Sequence, residues 1–303
     1  MKRHTTISVV TPSYNQGRFI EETIKSVISQ AGDFHIEYLI MDGGSKDESV
    51  EIIKKYEQML NDKSWPVKCL GISYKWVSEK DEGQADAVNK GFRASTGEIL
   101  GWINSDDTYC PGAFANALKH FEAHKEDIMV YGEGFHIKEN GELIDRYYTE
   151  PFDYARLAEV CYILQPTVFL RRRVLDETGF LNKELHYCMD YEYWIRIGKR
   201  FKIGYTSAPM ANFRVYPETK TMSRRLEIHR EIIMVINGNF GYVPINWVVV
   251  FADEYANKLF KRRNILFLIY RDIVFKFLFA RFNRHKISTL KLIKFFCTKK
   301  KSD

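Results

Sequence analysis

The chain has 303 residues, of which 28% are charged and 45% are hydrophobic, and its formal net charge is +6. That length suffices for one large domain or two small ones, and the composition excludes the disordered, collagen-like and disulfide-scaffold classes. The charge is uneven: residues 258–303 contain 14 Lys and Arg against two acids and carry +12, which leaves −6 on residues 1–257. An acidic body argues against a nucleic-acid binder and indicates that the basic segment has a partner of its own.

The first half of the chain alternates short strand patterns with helical ones. The predicted strands cover residues 7–10, 38–41, 72–77 and 99–103, and the predicted helices cover 19–28, 50–60 and 84–94. Strands that alternate with helices predict a parallel sheet covered by helices on both faces, with ligands beyond the carboxyl ends of the strands. The polar clusters TPSYN, DGGSKD, SEKDEGQAD and NSDD all stand at those ends.

The second half is less regular. Glu139-Asn140-Gly141 separates two strand patterns and predicts a β-hairpin. Further helices are predicted at about 172–178, 189–200 and 222–238. The pattern favours one compact domain over residues 1–235 and a basic, aromatic-rich helical tail over 236–303.

Several motifs follow one another in a fixed order, and they read SVVTPSYNQGRFIEETIKSV, IMDGGSKDES, SEKDEGQADAVNKGF, TGEILGWINSDDTY, QPTVFLRRRVLDETGFLN and YCMDYEYWIRI. Over residues 5–225 the chain closely resembles the family 2 glycosyltransferases. The resemblance implies the GT-A fold, a Rossmann-like and mostly parallel α/β sheet flanked by helices. It also implies a hexosyltransferase that moves a sugar, with inversion, from a nucleotide-diphosphate donor to a hydroxyl of a glycan or lipid-linked glycan. A UDP-sugar is the favoured donor.

The family segments that border the nucleotide correspond here to Thr11, Pro12, Tyr14, Asp42 and Lys80. In the family, the carboxylate at the Asp42 position accepts a hydrogen bond from a base N–H, as in uracil. An isolated Asp-Gly-Gly is otherwise typical of a turn. The resemblance places Lys80 in the donor pocket and leaves the role of Asp86 open, because an acid at the start of a helix also favours the helix dipole.

Asp106 and Asp107 follow an apolar strand, and a cation would relieve the repulsion between these adjacent carboxylates. Mg²⁺ or Mn²⁺ on hard oxygen ligands neutralises the charge that gathers on a diphosphate leaving group. This is the position of the family's D-x-D motif, in which Ser105 and Asp106 border the donor and Asp106 or Asp107 holds the metal. Asn104 replaces the first Asp, and its amide oxygen can accept a ribose hydroxyl. A solvated acidic turn is the alternative.

Asp190 is the candidate general base, because an inverting transfer needs a carboxylate that takes the proton of the acceptor hydroxyl. It stands where the family carries this base. Glu192 is the rival, and a helix N-cap is the structural alternative for Asp190. Tyr216 stands where many members have a His near the metal, and a phenol with an unperturbed pKa of about 10 is a poor substitute.

The tail contains the apolar sequence NILFLIYRDIVFKFLFARF at 264–282, with basic flanks at 261–263 and 284–301. Such a helix suits the surface of an anionic inner leaflet. The alternative is a helical subdomain that packs on the core or on a second subunit. The five widely spaced cysteines form no C-x-x-C pair, so reduced thiols and a cytoplasmic location are expected.

Two other functions are compatible with a nucleotide-binding α/β fold. A sugar nucleotidyltransferase also needs a nucleotide and a metal, but TPSYNQG is a poor match to the Gly-rich, basic phosphate loop that it requires. A catalytically inactive scaffold would keep the fold for assembly.

Overall fold

The computed structural model of the chain describes residues 4–260 and 264–283. Its contacts divide the chain into two units. The first comprises the described part of 1–157 together with 161–219, and the second comprises 158–160 and the described part of 220–303. A domain boundary at residue 235 stays a prediction. Among the described residues, no helix is both long and apolar enough to cross a membrane.

The first unit is built on one mixed sheet. Its nine strands are β1 (Thr6–Ser13), β2 (Gly32–Asp42), β3 (Cys69–Ser78), β4 (Ile99–Trp102), β5 (Thr108–Tyr109), β6 (Met129–Ile137), β7 (Leu143–Arg146), β8 (Phe169–Arg171) and β9 (Ile203–Arg214). The strand order is β3-β2-β1-β4-β8-β6-β9-β5, with β7 paired to β6. Strands β3, β2, β1 and β4 run parallel, as do β6 and β9, whereas β8 is antiparallel to both β4 and β6. Most paired residues therefore lie in parallel pairs, as predicted.

The helices of the first unit are α1 (Ile20–Ile28), α2 (Ser49–Asn61), α3 (Gln84–Ala94), α4 (Ala113–Ala123), α5 (Tyr154–Leu157), α6 (Arg173–Thr178) and α7 (Met189–Gly198). Helix α1 forms because Ile20, Ile24, Val27 and Ile28 share one buried face. The core against the sheet is rich in aromatic rings, and the rings of Tyr109, Phe114 and Phe169 lie 5.1 to 5.5 Å apart. This packing holds the strand ends in fixed positions.

The second unit is helical, with α8 (Lys220–Ser223), α9 (Arg225–Phe240), α10 (Ile245–Asn257) and α11 (Ile265–Asn283). Its core comprises Ile233, Val243, Val248, Phe251 and Phe279. Helix α9 ends where Gly241 adopts a left-handed φ of 70°, which glycine tolerates at helix C-termini. The basic flanks at 261–263 and 284–301 lie outside the described residues.

Candidate active site

The polar clusters at the strand ends meet at one edge of the sheet. Ser13 at the end of β1 pairs with Asp42 at the end of β2, and Asp42 pairs with Ser78 at the end of β3. On the other side of β1, the N–H of Ile103 donates to the carbonyl of Val10 at 3.0 Å. The segments after β1, β2, β3 and β4 therefore leave the sheet side by side, as the strand pattern predicted.

Gly43 lies between an aromatic ring and a carboxylate. A Cβ atom built on Gly43 would be 2.8 Å from Oδ2 of Asp81 and 3.3 Å from Cδ2 of Tyr14. Tyr14 is 61% exposed, so its ring is accessible beside the carboxyl end of β2. The two side chains and the bare glycine backbone form a narrow notch, and we did not identify Asp81 from the sequence.

Asp42 is bound mainly by its own turn. Its Oδ2 accepts hydrogen bonds from the N–H groups of Gly44 and Ser45, at 3.1 and 2.9 Å, and from Oγ of Ser78 at 2.6 Å. Its Oδ1 accepts the hydroxyl of Ser45 at 2.5 Å. A carboxylate can accept about four hydrogen bonds, and most of those that the buried side chain of Asp42 accepts come from its own turn. Contact between Asp42 and a nucleotide base stays a prediction, and the base N–H would donate to the second acceptor position of Oδ1.

The other predicted donor contacts differ in exposure. Thr11 and Pro12 are buried, and Oγ1 of Thr11 accepts the hydroxyl of Tyr38 at 3.1 Å. The side chains of these two residues are therefore not exposed, and their contact with a nucleotide stays a prediction. Lys80 is exposed, and its backbone nitrogen lies 3.7 Å from a Cβ position built on Gly44. The loop that carries Lys80 thus borders the same turn as Asp42.

Asn104 has no hydrogen-bonding capacity left over. Its Oδ1 accepts Nε2 of Gln84 at 2.6 Å and Nε1 of Trp102 at 3.0 Å. Its Nδ2 donates to Oε1 of Gln165 at 3.1 Å and to Oδ2 of Asp107 at 3.3 Å. An amide has two acceptor positions and two N–H donors, and all four are in use. A ribose hydroxyl would have to displace one of these bonds.

Asp107 is only 1% exposed, so a solvated turn does not describe it. Its Oδ1 accepts the backbone N–H of Arg214 at 3.0 Å. Burial and the neighbouring charge of Asp106 raise the pKa of Asp107 well above its usual range, although hydrogen bonds from Arg214 and Asn104 oppose the shift. A cation beside the two carboxylates would relieve this cost. Ser105, which precedes Asp106, is also buried.

Tyr216 is a hydrogen-bond donor to this acidic pair. Its buried ring packs on Phe19 at 4.9 Å between centroids, and its Oη donates to Oδ2 of Asp106 at 2.8 Å. Burial and the charge of Asp106 raise the pKa of Tyr216, so the phenol is neutral at physiological pH. A neutral phenol is a poor metal ligand, which agrees with the departure noted in the sequence.

The side chains around Asp106 and Asp107 determine whether this site suits a divalent cation. No group of three or more His, Cys, Asp or Glu side chains that could hold a metal exists in the described part of the chain. Mg²⁺ often binds through one or two carboxylates, with waters and substrate phosphates as its other ligands. Asp106 fits that mode of binding because its side chain is partly exposed, and the buried Asp107 beside it adds negative charge that a cation would compensate.

Arg214, at the end of β9, binds the segment that carries Asp106 and Asp107. Its side chain is fully buried. Nε donates to the carbonyl of Asp106 at 2.9 Å, Nη1 donates to the carbonyl of Glu139 at 2.5 Å, and Nη2 donates to a carboxylate oxygen of Glu22 at 2.5 Å. Together with its backbone bond to Asp107, this arginine fixes the segment between β4 and β5 to the β6–β7 hairpin and α1.

We expect Arg214→Lys to lower the free energy of unfolding by about 2–4 kcal/mol, because an ammonium group cannot reproduce a planar fork of charge-assisted hydrogen bonds in a buried site. The matched control is Arg18→Lys, since Arg18 also pairs with this hairpin, at Glu139, but is about half exposed. That change should cost about 0.5 kcal/mol or less. Urea denaturation measures both values, and equal stability of the two variants would contradict the role of Arg214.

Asp190 is the second residue of α7, and the N-cap is Cys188, so an N-cap role for Asp190 is wrong. Its side chain is partly exposed, and its Oδ1 accepts the N–H of Tyr191 at 2.8 Å. The rival Glu192 has a structural partner: Nε and Nη2 of Arg196 donate to its two oxygens at 2.9 and 2.8 Å. Arg196 also donates to the carbonyl of Phe180 at 2.9 Å, so Glu192 belongs to a network that anchors α7.

The loop before Asp190 is attached to α3. Nδ2 of Asn89 donates to the carbonyl of Leu181 at 2.9 Å, and the N–H of Leu181 donates back to Oδ1 of Asn89 at 3.0 Å. Lys183 pairs with Asp86 at 3.4 Å. Although burial raises the pKa of Asp86, the N–H of Glu82 and the nearby lysines lower it more, and the net shift is downward. Asp86 is therefore a charged residue with a structural role: it connects the loop before Asp190, through Lys183, to the loop before α3, through the N–H of Glu82.

Comparison with known proteins gives a family match. The family model Glycosyl transferase family 2 matches residues 8–180. An uncharacterised glycosyltransferase of Rickettsia conorii is 22% identical over 249 residues, which cover 78% of this chain and 38% of that protein. Chondroitin synthase of Escherichia coli is 24% identical over 235 residues, which cover 76% of this chain and 32% of that enzyme. The chain thus spans less than half the length of these curated relatives.

Solved structures give a fold match. A fragment of S. aureus TarS in complex with UDP-GlcNAc has a TM-score of 0.60 at 17% identity, covering 97% of this chain and 88% of that one. Mannosyltransferase PcManGT from Pyrobaculum calidifontis, in complex with GDP-Man and Mn²⁺, has a TM-score of 0.60 at 16% identity, covering 99% and 80%. At this identity the likeness shows the fold alone, and it confirms the expected GT-A α/β architecture.

Proposed function

The chain belongs to glycosyl transferase family 2, as its motifs indicated, and we propose that it transfers a hexose from a nucleoside-diphosphate sugar to a hydroxyl of a glycan or lipid-linked glycan. Four strands end side by side at one edge of the sheet, and the segment after one of them, β4, carries the Asp106–Asp107 pair; this arrangement is the observation that carries the proposal. UDP is the favoured nucleotide, since one structural neighbour was solved with UDP-GlcNAc. A cytoplasmic location, at the inner face of a membrane, completes the proposal.

The donor nucleotide is proposed to lie at the ends of β1 and β2. The exposed ring of Tyr14 offers a surface for stacking a base, and Gly43, which has no side chain, allows the base to approach the backbone closely. The carboxylates of Asp42 and Asp81 are acceptors for a base N–H. Lys80, exposed on the adjoining loop, supplies a positive charge for phosphate oxygens.

A divalent cation, Mg²⁺ or Mn²⁺, would be held by Asp106 and Asp107 and would neutralise charge on the donor diphosphate. The residues around this pair determine its position. Asn104 and the backbone N–H of Arg214 donate to Asp107, and Tyr216 donates to Asp106. Such prior positioning lowers the cost of arranging charges during the reaction.

Asp190 is proposed to act on the acceptor. Its carboxylate takes the proton of the acceptor hydroxyl while that oxygen attacks the anomeric carbon from the face opposite the diphosphate. The bond from the anomeric carbon to the diphosphate oxygen breaks, and its electron pair leaves with the nucleoside diphosphate. The configuration of the sugar is therefore inverted. Asp190 is proposed for this role because it stands where the family carries its base and its side chain is partly exposed, and the carboxylate of Glu192 is held by Arg196 in the network that anchors α7.

We expect Gly43→Ala to weaken UDP binding by about tenfold (about 1.4 kcal/mol), because the new methyl group would occupy the notch in which the base is proposed to lie. The new methyl group would push on Asp81 and Tyr14, the two sides of the notch. Gly238→Ala is the control, because a Cβ atom on that α9 glycine meets nothing within 4 Å. Titration calorimetry with UDP and Mn²⁺ measures both variants. Wild-type affinity in Gly43→Ala would contradict the proposed base site, and no UDP binding by any form would favour an inactive scaffold.

A further inference from the structure

Helix α11 has one face built into the helical core of the second unit. Phe267 and Phe279 are buried, and Phe279 belongs to the cluster that includes Val248 and Phe251 of α10. At the C-terminal end of the helix, Nδ2 of the buried Asn283 donates to the carbonyl of Val243 at 3.1 Å. This face is fixed by packing and is not available to a partner.

The opposite face of α11 is apolar but exposed. Leu266, Ile269, Ile273 and Phe277 recur at spacings of three and four residues, which places them in one row, here called the apolar stripe. Their side chains are 51% to 63% exposed. Exposed apolar residues are normal when scattered, but a contiguous row on one helix marks an interaction surface. The sequence offered an interfacial helix or a packed helix as alternatives, and α11 has a face suited to each.

Charge determines which partner fits the stripe. Residues 258–303, which include α11, carry +12. Helix α11 itself contains three basic residues and one acid, so a second copy would bring a helix of the same positive charge, and that repulsion disfavours association through two stripes. An anionic lipid surface has the complementary charge and an apolar interior for the stripe. Next to the stripe, Lys276 forms an exposed pair with Asp272, which is compatible with a headgroup environment.

We propose that the apolar stripe of α11 inserts into the surface of an anionic bilayer while the opposite face of the helix stays packed on α10. The stripe then anchors the chain beside the membrane, and long exposed basic side chains such as Arg281 reach the headgroups. This anchoring does not depend on the proposed transferase activity.

The test is co-sedimentation of the full chain with vesicles of phosphatidylglycerol and phosphatidylcholine, and with vesicles of phosphatidylcholine alone. The wild type should bind the anionic vesicles, and binding should fall as salt is raised. The double variant Ile273→Glu/Phe277→Glu should bind at least about tenfold more weakly, because two exposed side chains lose their insertion into the bilayer. The matched control is Met234→Glu on α9, which replaces another exposed apolar side chain (63% exposed, equal to Phe277) and should leave binding unchanged.

Circular dichroism and UDP binding report whether each variant is folded. Three results would overturn the proposal. In the first, the wild type binds no anionic vesicles, and in the second, the double variant binds them as well as the wild type does. In the third, ultracentrifugation shows a wild-type dimer that the double variant disperses, which would identify a second copy as the occupant of the stripe.

Discussion

Asp190→Asn should lower the rate of sugar transfer by about 10²–10⁴-fold, the range that a general base contributes. The variant keeps the size of the side chain and still accepts a hydrogen bond from the N–H of Tyr191, as Oδ1 does in the wild type. UDP affinity should therefore be unchanged, because the candidate donor contacts are on other segments. Steady-state release of UDP from a UDP-sugar with its acceptor measures the rate, and calorimetry measures the affinity.

Glu192→Gln is the matched control for this prediction. It lies two residues further along α7 and removes the same kind of charge, but it weakens a structural pair with Arg196. Transfer should fall only slightly, and stability should fall by about 1 kcal/mol, as expected for a partly exposed pair. If transfer survives in Asp190→Asn and is lost in Glu192→Gln, the two roles are reversed and our assignment of the base is wrong.

Asp106→Asn should lower transfer by about 10²–10³-fold, similar to the loss of one charged group that stabilises a leaving group. The change removes one of the two carboxylates proposed to hold the cation. It should also remove most of the effect of Mn²⁺ on UDP affinity. Calorimetry with and without Mn²⁺, together with the rate of UDP release, checks both expectations.

Tyr216→Phe distinguishes the contribution of the Asp106 carboxylate from that of the hydroxyl that donates to it. The variant keeps the ring that packs on Phe19 and the charge of Asp106, and it loses only the hydroxyl that donates to Oδ2. Transfer should fall much less than in Asp106→Asn, and the response to Mn²⁺ should persist. A response to Mn²⁺ that is intact in Asp106→Asn would contradict cation binding by this pair.

The parts of the fold that the sequence predicted are those with a local pattern. Helix α3 begins and ends as expected at Gln84 and Ala94, because its apolar face has helical spacing and Gly83 precedes it. The hairpin between β6 and β7 turns at Gly141, whose φ of 85° explains why a glycine stands there. Parallel strands also place their carboxyl ends at one edge, so the convergence of the polar clusters followed from the order of the elements.

The remainder depends on contacts between distant segments. Strand β8 joins β4 to β6 in antiparallel pairs, and its three residues are too few to show a periodic pattern. Arg214 binds carbonyl groups more than 70 residues away in sequence, and a lone arginine shows no sign of such partners. Asp81 was missed for the same reason, since only the folded chain brings its carboxylate to Gly43.

The most direct test of the account is a transfer assay on the full chain with a panel of UDP-sugars, Mn²⁺ and glycan or lipid-linked glycan acceptors. We expect one UDP-sugar to release UDP in step with a new glycosidic bond of inverted configuration in the wild type, and no product above background in Asp190→Asn. Product of retained configuration, or wild-type rates in Asp190→Asn, would contradict the proposed mechanism.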